Sequence, residues 1–415
     1  MPLHRRALLA AGVVWSTVAG LAAPGRAGAA RRDMVLLDAP QPLVRLHAGE
    51  GGALLGVSAA GGLWRFDGVT WRELGGGLDA AAPLASGHGR IVGRSRDGGL
   101  WVLAGGRGAA AGGPNLAPHG GMLVLALGVI AVAPAADGTH RVVRLEPGSG
   151  GAWVETARSA QAVLPDAQPL QFDPGGRRHD DDGHVVVLAG PDRERYRHAV
   201  LGDDVEATAV LLLERHGLAP LARLELPSPF VFEDIAPRVI GWRGARALLT
   251  VRSGPQGGQL VVVAAAAPGQ LTLAALGTPI GTRHRWLSPS TDGTRLLAVH
   301  TPHIGGVLLR YRDDGGERLA GQVLASGVSN HVLGERDLNV SAWVGRWLVL
   351  PNQDRRSLRI VDADAVAGAP AAAPAPVEVA LSAPVRALQR WDRGGETGIA
   401  VLLQDGRTGW VSIKG

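Results

Sequence analysis

One strand–turn–strand unit recurs along this chain, and its recurrence constrains the fold more than any other feature. Residues 54–65 read LLGVSAAGGLWR and residues 91–103 read IVGRSRDGGLWVL. Each has a small apolar strand, a tight turn ending in Gly-Gly, then Leu-Trp and a second strand. Related units follow at residues 248–262, 296–310, 348–361 and 399–413. A unit of this size cannot bury its own apolar face, so copies must stack on one another. Gly or Pro punctuates nearly every unit, with 61 glycines and 27 prolines in 415 residues. That suits many short strands joined by turns better than long helices.

Turns of this kind fall near Gly61, Gly98, Gly138, Pro191, Gly257, Gly305, Arg355 and Gly406. Their intervals scatter around about 50 residues, the length of a four-stranded propeller blade. The chain is therefore expected to be all-β: a single β-propeller of four-stranded antiparallel blades over residues 30–415. Eight blades are favoured and seven are the alternative, because the second unit (83–114) is short. The last unit offers three strands before the chain ends. The short segment 34–37 (MVLL) is expected to supply the fourth, closing the ring and removing an open edge. Trp64, Trp101 and Trp410 hold the same place after the turn in three units. A periodic tryptophan of this kind reads as packing between blades. Residues 122–136 are apolar but shorter than the roughly 20 residues of a membrane-spanning helix, and read as two inner strands. The Ala/Pro-rich stretch 363–376 reads as a surface loop within one blade.

Residues 1–29 read as an export signal. Paired Arg5-Arg6, a mildly apolar Ala/Gly stretch, and Arg26 just before Ala27-Gly28-Ala29 resemble the twin-arginine type, with a Sec signal or uncleaved anchor as alternatives. The expected location is the periplasm, or outside the cell, after cleavage. Discounting the three signal arginines reduces the formal charge from +5 to +2. The only lysine is Lys414. No basic run is interleaved with aromatics, and nucleic-acid binding is not expected. There is no cysteine, which excludes disulfides, iron–sulfur clusters, thiolate metal sites and cysteine nucleophiles. The sequence has no phosphate loop, nucleophile elbow or Rossmann fingerprint.

In an up-and-down blade, the loop between the second and third strands and the crossing to the next blade share one face. The unusual polar residues fall mainly in these two families. The crossings carry Glu233-Asp234, His284 with Trp286, and His331. The hairpin turns carry His303 and the run Asn352, Arg355, Arg356, and a longer excursion carries His198 and Asp203. These residues are expected to converge on the mouth of the central channel as a ligand-binding set. Each has a plainer reading: a loop histidine is often solvated, adjacent carboxylates often cap turns, and paired arginines often serve an ion pair. Arg355-Arg356 has the donors to clamp a carboxylate, sulfate or phosphate. The spacing contains no short metal motif, so no metal site is assigned. The polar run 177–184 (RRHDDDGH) reads as a solvated loop, with cation binding the minority reading.

Between about residues 196 and 362 the chain resembles exported bacterial proteins of the FG-GAP/VCBS-repeat type, propellers related in architecture to the integrin α head. The segments that carry this are 196–207 (YRHAVLGDDVEA), 232–238 (FEDIAPR), 284–289 (HRWLSP), 301–306 (TPHIGG) and 329–334 (SNHVLG). The resemblance implies a propeller and little mechanism. Where the family carries a D-x-D-G-D-G calcium loop, residues 240–247 (IGWRGARA) have no acidic residue and 290–293 (STDG) have only Asp292. A calcium site needs several oxygen ligands, so the repeat calcium sites are expected to be lost. No catalytic residue or cofactor is assigned. The expected function is a monomeric binding or scaffold module whose top face engages a protein, peptide or glycan. The alternative is a periplasmic hydrolase, lyase or quinone-dependent dehydrogenase using the His/Arg/Asp set.

Overall fold

A computed structural model describes residues 33–174, 183–338, 340–365 and 377–413. The export signal and most of the 177–184 and 363–376 runs lie outside the described residues. Strands dominate; helical structure among the described residues amounts to one short 3-10 turn, Glu50–Gly52. No helix among them is long and apolar enough to cross a membrane.

Sequential strands pair antiparallel with their chain neighbours. The first sheet runs Leu43–Ala48, Leu54–Ser58, Leu63–Phe66, Trp71–Gly75, and the second Ala85–Gly87, Arg90–Arg94, Leu100–Ala104, Ala109–Gly112. The unit at 83–114, which the sequence left open as incomplete, therefore has all four strands. Met122–Leu125 and Gly128–Pro134 are the first two strands of the third sheet, so the apolar run at 122–136 forms a strand pair. A nine-stranded sheet follows. It holds two four-stranded sets, His184–Asp192 and Glu206–Leu213 at the centre of one, Ala245–Gly254 and Gly257–Ala267 at the centre of the other, bridged by the two-residue strand Val231–Phe232. Two further four-stranded sheets span Leu287–Thr291 to Leu319–Ser326 and Ala342–Val344 to Val377–Ala380. In the last sheet, Val385–Arg390, Gly398–Leu403 and Thr408–Ser412 take Val35–Leu36 as their fourth strand, with Val35 opposite Trp410.

Every turn predicted from the repeat lies between the middle two strands of a four-stranded set. The local chemistry explains why. At the first turn the Gly61 N–H donates to the Ser58 carbonyl (2.8 Å), and the Gly62 N–H donates to Ser58 Oγ (3.1 Å). Gly61 has φ +72°, and a Cβ there would meet the Leu78 carbonyl at 2.2 Å. Only glycine allows both that conformation and that approach. The Gly61 carbonyl in turn accepts from the Leu78 N–H in the crossing to the next sheet. Gly98 repeats the device with Leu116, and Gly406 repeats it with Leu43 at the start of the first sheet. In these three hairpins the turn also docks against a neighbouring crossing.

Some middle strands are buried along their whole length: all eight residues of Glu206–Leu213 and all six of Gly398–Leu403. Sheets packed on both faces leave no solvent side, so these strands read as apolar runs without alternation. Fourth strands such as Trp153–Arg158 are mostly exposed. Core clusters cross between sheets: Leu43, Phe66 and Trp71 pack with Trp391, Leu402 and Trp410, joining first sheet to last. The repeated tryptophans follow suit. Trp101 is fully buried and donates to the Gly76 carbonyl (2.9 Å), and Trp410 donates to the Trp391 carbonyl (3.2 Å).

Candidate functional site

The eleven singled-out residues all lie in the loops between second and third strands or in the crossings between sets. In antiparallel sheets these two families share one end. The structure then divides them into three groups.

The first group is a contiguous chain of rings and carboxylate. His198 Nδ1 donates to Glu233 Oε1 at 2.6 Å, and the Ser253 hydroxyl donates to Glu233 Oε2. Glu233 is fully buried. Burial pushes its carboxyl up, while the His198 hydrogen bond draws it back. His198 stacks on His284, ring centroids 5.3 Å apart, and the His284 N–H donates to the Tyr196 hydroxyl (2.8 Å). Burial raises the Tyr196 phenol, keeping it protonated. On the other side, Trp286 Nε1 donates to the Glu233 carbonyl (2.9 Å), and its indole lies parallel to the His303 ring. His303 Nε2 is 2.9 Å from His331 Nδ1, and His331 Nε2 is 2.8 Å from the Glu335 carbonyl. A carbonyl only accepts, so His331 carries its proton on Nε2 and its Nδ1 accepts from His303 Nε2–H. Burial pushes His303 down to about 4 and His331 down to about 3. Both rings are neutral at neutral pH, and charging either would break this directed arrangement.

The second group serves the scaffold. Asp234 is fully buried, accepts from the Ile235 and Ala236 N–H groups and the Thr250 hydroxyl, and pairs with Arg238. Asp203 caps its own turn through the Val205 N–H and binds Arg336 at 2.5 Å. Asn352 accepts from the Ser357 N–H (3.1 Å), and Arg356 is exposed, its N–H donating to Asp354. Each caps or braces its own turn, as turn-forming residues do, and Asp203 and Asp234 also reach partners outside it, Arg336 and Thr250.

Arg355 stands apart. Alone among the eleven, it lines a central cavity of about 510 Å³. Segments at or just before the first strand of each four-stranded set wall that cavity, together with the turns carrying Arg355 and Gln404. The expected convergence on the channel is thus corrected. The histidines and Glu233 form a linked set of rings and carboxylate beside the cavity, with Glu233 and His331 buried, His198 and His303 half-buried and His284 exposed; Glu335 ties it to the cavity, and of the eleven only Arg355 enters it. The physical reason is that imidazole and indole rings gain more from stacking between adjacent loops than from projecting into water.

Several participants carry no local signal in the sequence. Ser253 lies within a strand, and Tyr196 is one of two tyrosines with nothing to mark it as a partner of His284. Arg336 bridges Asp166 (2.7 Å) and Asp203 across loops more than a hundred residues apart. Burial and the nearby Asp203 charge push Asp166 up to about 6 against the pull of Arg336. No group of three or more metal-ligating side chains is found among the described residues.

No protein-family model matches this chain, and no curated protein matches it. Solved structures do. BamB from Moraxella catarrhalis superposes with a TM-score of 0.54 at 13% identity, over 94% of this chain and 98% of that one. Sqt1 from Saccharomyces cerevisiae gives 0.60 at 10% identity, over 93% and 100%. The computationally designed Ika8 protein gives 0.55 at 13% identity, over 92% and 100%. The fold is a β-propeller. At these identities the likeness concerns architecture alone. It orients the cavity: propeller sheets surround an axial channel, and the first strand of each faces it.

Proposed function

We propose that this chain is an exported periplasmic β-propeller of eight blades, sealed by Val35–Leu36, that works as a binding module for a protein or peptide through one rim. The blade reading treats the nine-stranded sheet as two blades joined by Val231–Phe232. The export reading rests on the twin-arginine-like signal, and the FG-GAP/VCBS-type resemblance belongs to the same proposal.

The observation that carries the binding role is a pair of exposed apolar side chains on the polar rim. Ile304 is 63% exposed and Leu333 is 65% exposed. Ile304 follows His303, and Leu333 lies two residues from His331, so both flank the hydrogen-bonded imidazole pair. The hydrogen bond between His303 and His331 ties the loops that carry them to each other. A rigid, polar-rimmed apolar spot is the usual core of a protein-binding surface. Photo-crosslinking residues placed at Ile304 and Leu333, in the native host, are expected to capture a discrete partner. One placed at Val69, in a third-to-fourth-strand turn of the opposite rim, is not. Equal capture from Val69, or none from the rim positions, would remove this reading.

A second reading has one observation in its favour. Buried Glu233 holds His198 through Nδ1, and no described residue bonds its Nε2. A carboxylate-oriented imidazole is equipped to act as a general base. This supports the enzyme alternative, to which His198→Ala would be fatal.

A further inference from the structure

We infer that the central cavity binds a carboxylate, clasped between Arg355 and Arg386. This goes beyond the rim-docking reading and stands without it.

Five arginines line the cavity: Arg45, Arg238, Arg336, Arg355 and Arg386. Three are already engaged with carboxylates. Arg238 pairs with buried Asp234, Arg336 spans Asp166 and Asp203, and Arg45 lies 3.7 Å from Asp337. Arg355 and Arg386 have no carboxylate partner within salt-bridge distance among the described residues. The only other acid on the wall is Glu335, whose side chain is exposed.

The backbone brings the Arg355 side chain to the strand segment that carries Arg386. Arg355 has φ +61°, a left-handed conformation that is uncommon for a side chain of its size. That turn sends its Nη1 to the Val385 carbonyl at 3.2 Å, next to Arg386 in sequence. Arg386 is the extra residue of a β-bulge: Val385 pairs with Leu403 and Ala387 with Leu402, leaving Arg386 unpaired. Bulges re-aim one side chain out of the regular alternation, and here the result lines the channel. Gln404, on the turn of the same sheet, lines the wall beside them and has an amide to offer.

Two cations lining one cavity, each partly removed from water, cost free energy unless an anion joins them. Burial lowers the Arg355 guanidinium, and the charge of Glu335, too far for a salt bridge, offsets this only in part. Forked guanidinium donors match the two oxygens of a carboxylate. The cavity volume falls within the range that holds a small organic ligand. A free organic acid and an acidic side chain of a partner share this chemistry.

Titration calorimetry of the full mature chain at low ionic strength separates the sources, with citrate as one probe and a hexaglutamate peptide as the other. Saturable binding of citrate identifies a free organic acid; binding of the peptide alone identifies an acidic segment. In either case Arg386→Gln is expected to weaken binding about tenfold or more. Its melting temperature is expected to hold, because Arg386 anchors no described carboxylate. Arg355→Gln is the second variant and is expected to lose affinity likewise. The proposal is overturned if neither probe binds, if sodium sulfate at matched ionic strength binds equally well, or if both variants bind as the parent does. Rim crosslinking is read separately, so failure here leaves that result standing.

Discussion

The residues that looked most reactive divide according to whether their polar atoms are spent inside the protein. Glu233 illustrates the spent case. It is inaccessible, and both carboxyl oxygens are bonded. Glu233→Ala is expected to destabilise the fold by about 3 kcal/mol, since breaking a buried pair strands its partners; chemical denaturation measures this. The buried histidines set a pH dependence with a definite sign. His303 and His331 sit near 4 and 3 when folded, and His47 and His300 near 4, against 6.5 in the unfolded chain. Below pH 6.5 the unfolded chain takes up protons that the folded chain refuses, so stability falls towards pH 4. Asp166, raised to about 6, opposes this between pH 6 and 3.8, as do Glu206 and Glu233, which burial also raises, but His119, His140 and His284 are lowered too, so seven histidines outweigh three carboxyls. The melting temperature should therefore be highest above pH 6.5 and decline below it. A His303→Gln/His331→Gln double variant should show a shallower decline, and an unchanged slope would show that the pair does not set it. The histidines and Glu233 were legible as unusual residues in one loop family. Their pairing was not, because His198 and Glu233 meet across thirty-five residues of intervening strand and turn.

At the scale of the element, the working unit is a hairpin whose turn, at Gly61, Gly98 and Gly406, also docks onto a neighbouring crossing. Gly61 needs both a positive φ and the absence of a Cβ; Gly138 has φ +79° but open space around it. Gly61→Ala is therefore expected to cost more than Gly138→Ala. The latter carries only the left-handed strain of about 1 kcal/mol, and the former adds a collision with the Leu78 backbone. Equal midpoints in urea would show that the docking contact contributes nothing. These turns were plainly legible, because a Gly-Gly or Asp-Gly pair between two apolar runs has few other conformations. The bulge at Arg386 was not. Its sequence, VRAL, is ordinary strand, and the irregularity arises from pairing with Leu402 and Leu403.

For the whole molecule, the telling contacts join the two ends of the described chain. The Leu37 N–H donates to the Thr408 carbonyl (2.9 Å), and the Leu37 carbonyl accepts from the Thr408 hydroxyl (2.6 Å) and from Trp71 Nε1 (3.3 Å). Leu37 thus ties the last sheet to the first, within a core shared by both. Leu37→Asp is expected to lower stability by about 3 kcal/mol or more, since it buries a charge at that junction and vacates a leucine site. Thermal melting tests it. A loss below about 1 kcal/mol would mean that the two sheets hold together without this contact.

The sequence by itself determined the repeat, and with it the short-strand architecture and the end of each sheet at which polar loops gather. Those are local consequences of glycine turns and apolar periodicity, which neighbouring residues encode. Which of the gathered side chains face the cavity was decided only by tertiary structure. Stacking and hydrogen bonds drew the histidines and Trp286 onto one another rather than into the cavity. One left-handed residue and one bulge turned Arg355 and Arg386 inward, because side-chain direction at a sheet junction depends on pairing between strands distant in sequence.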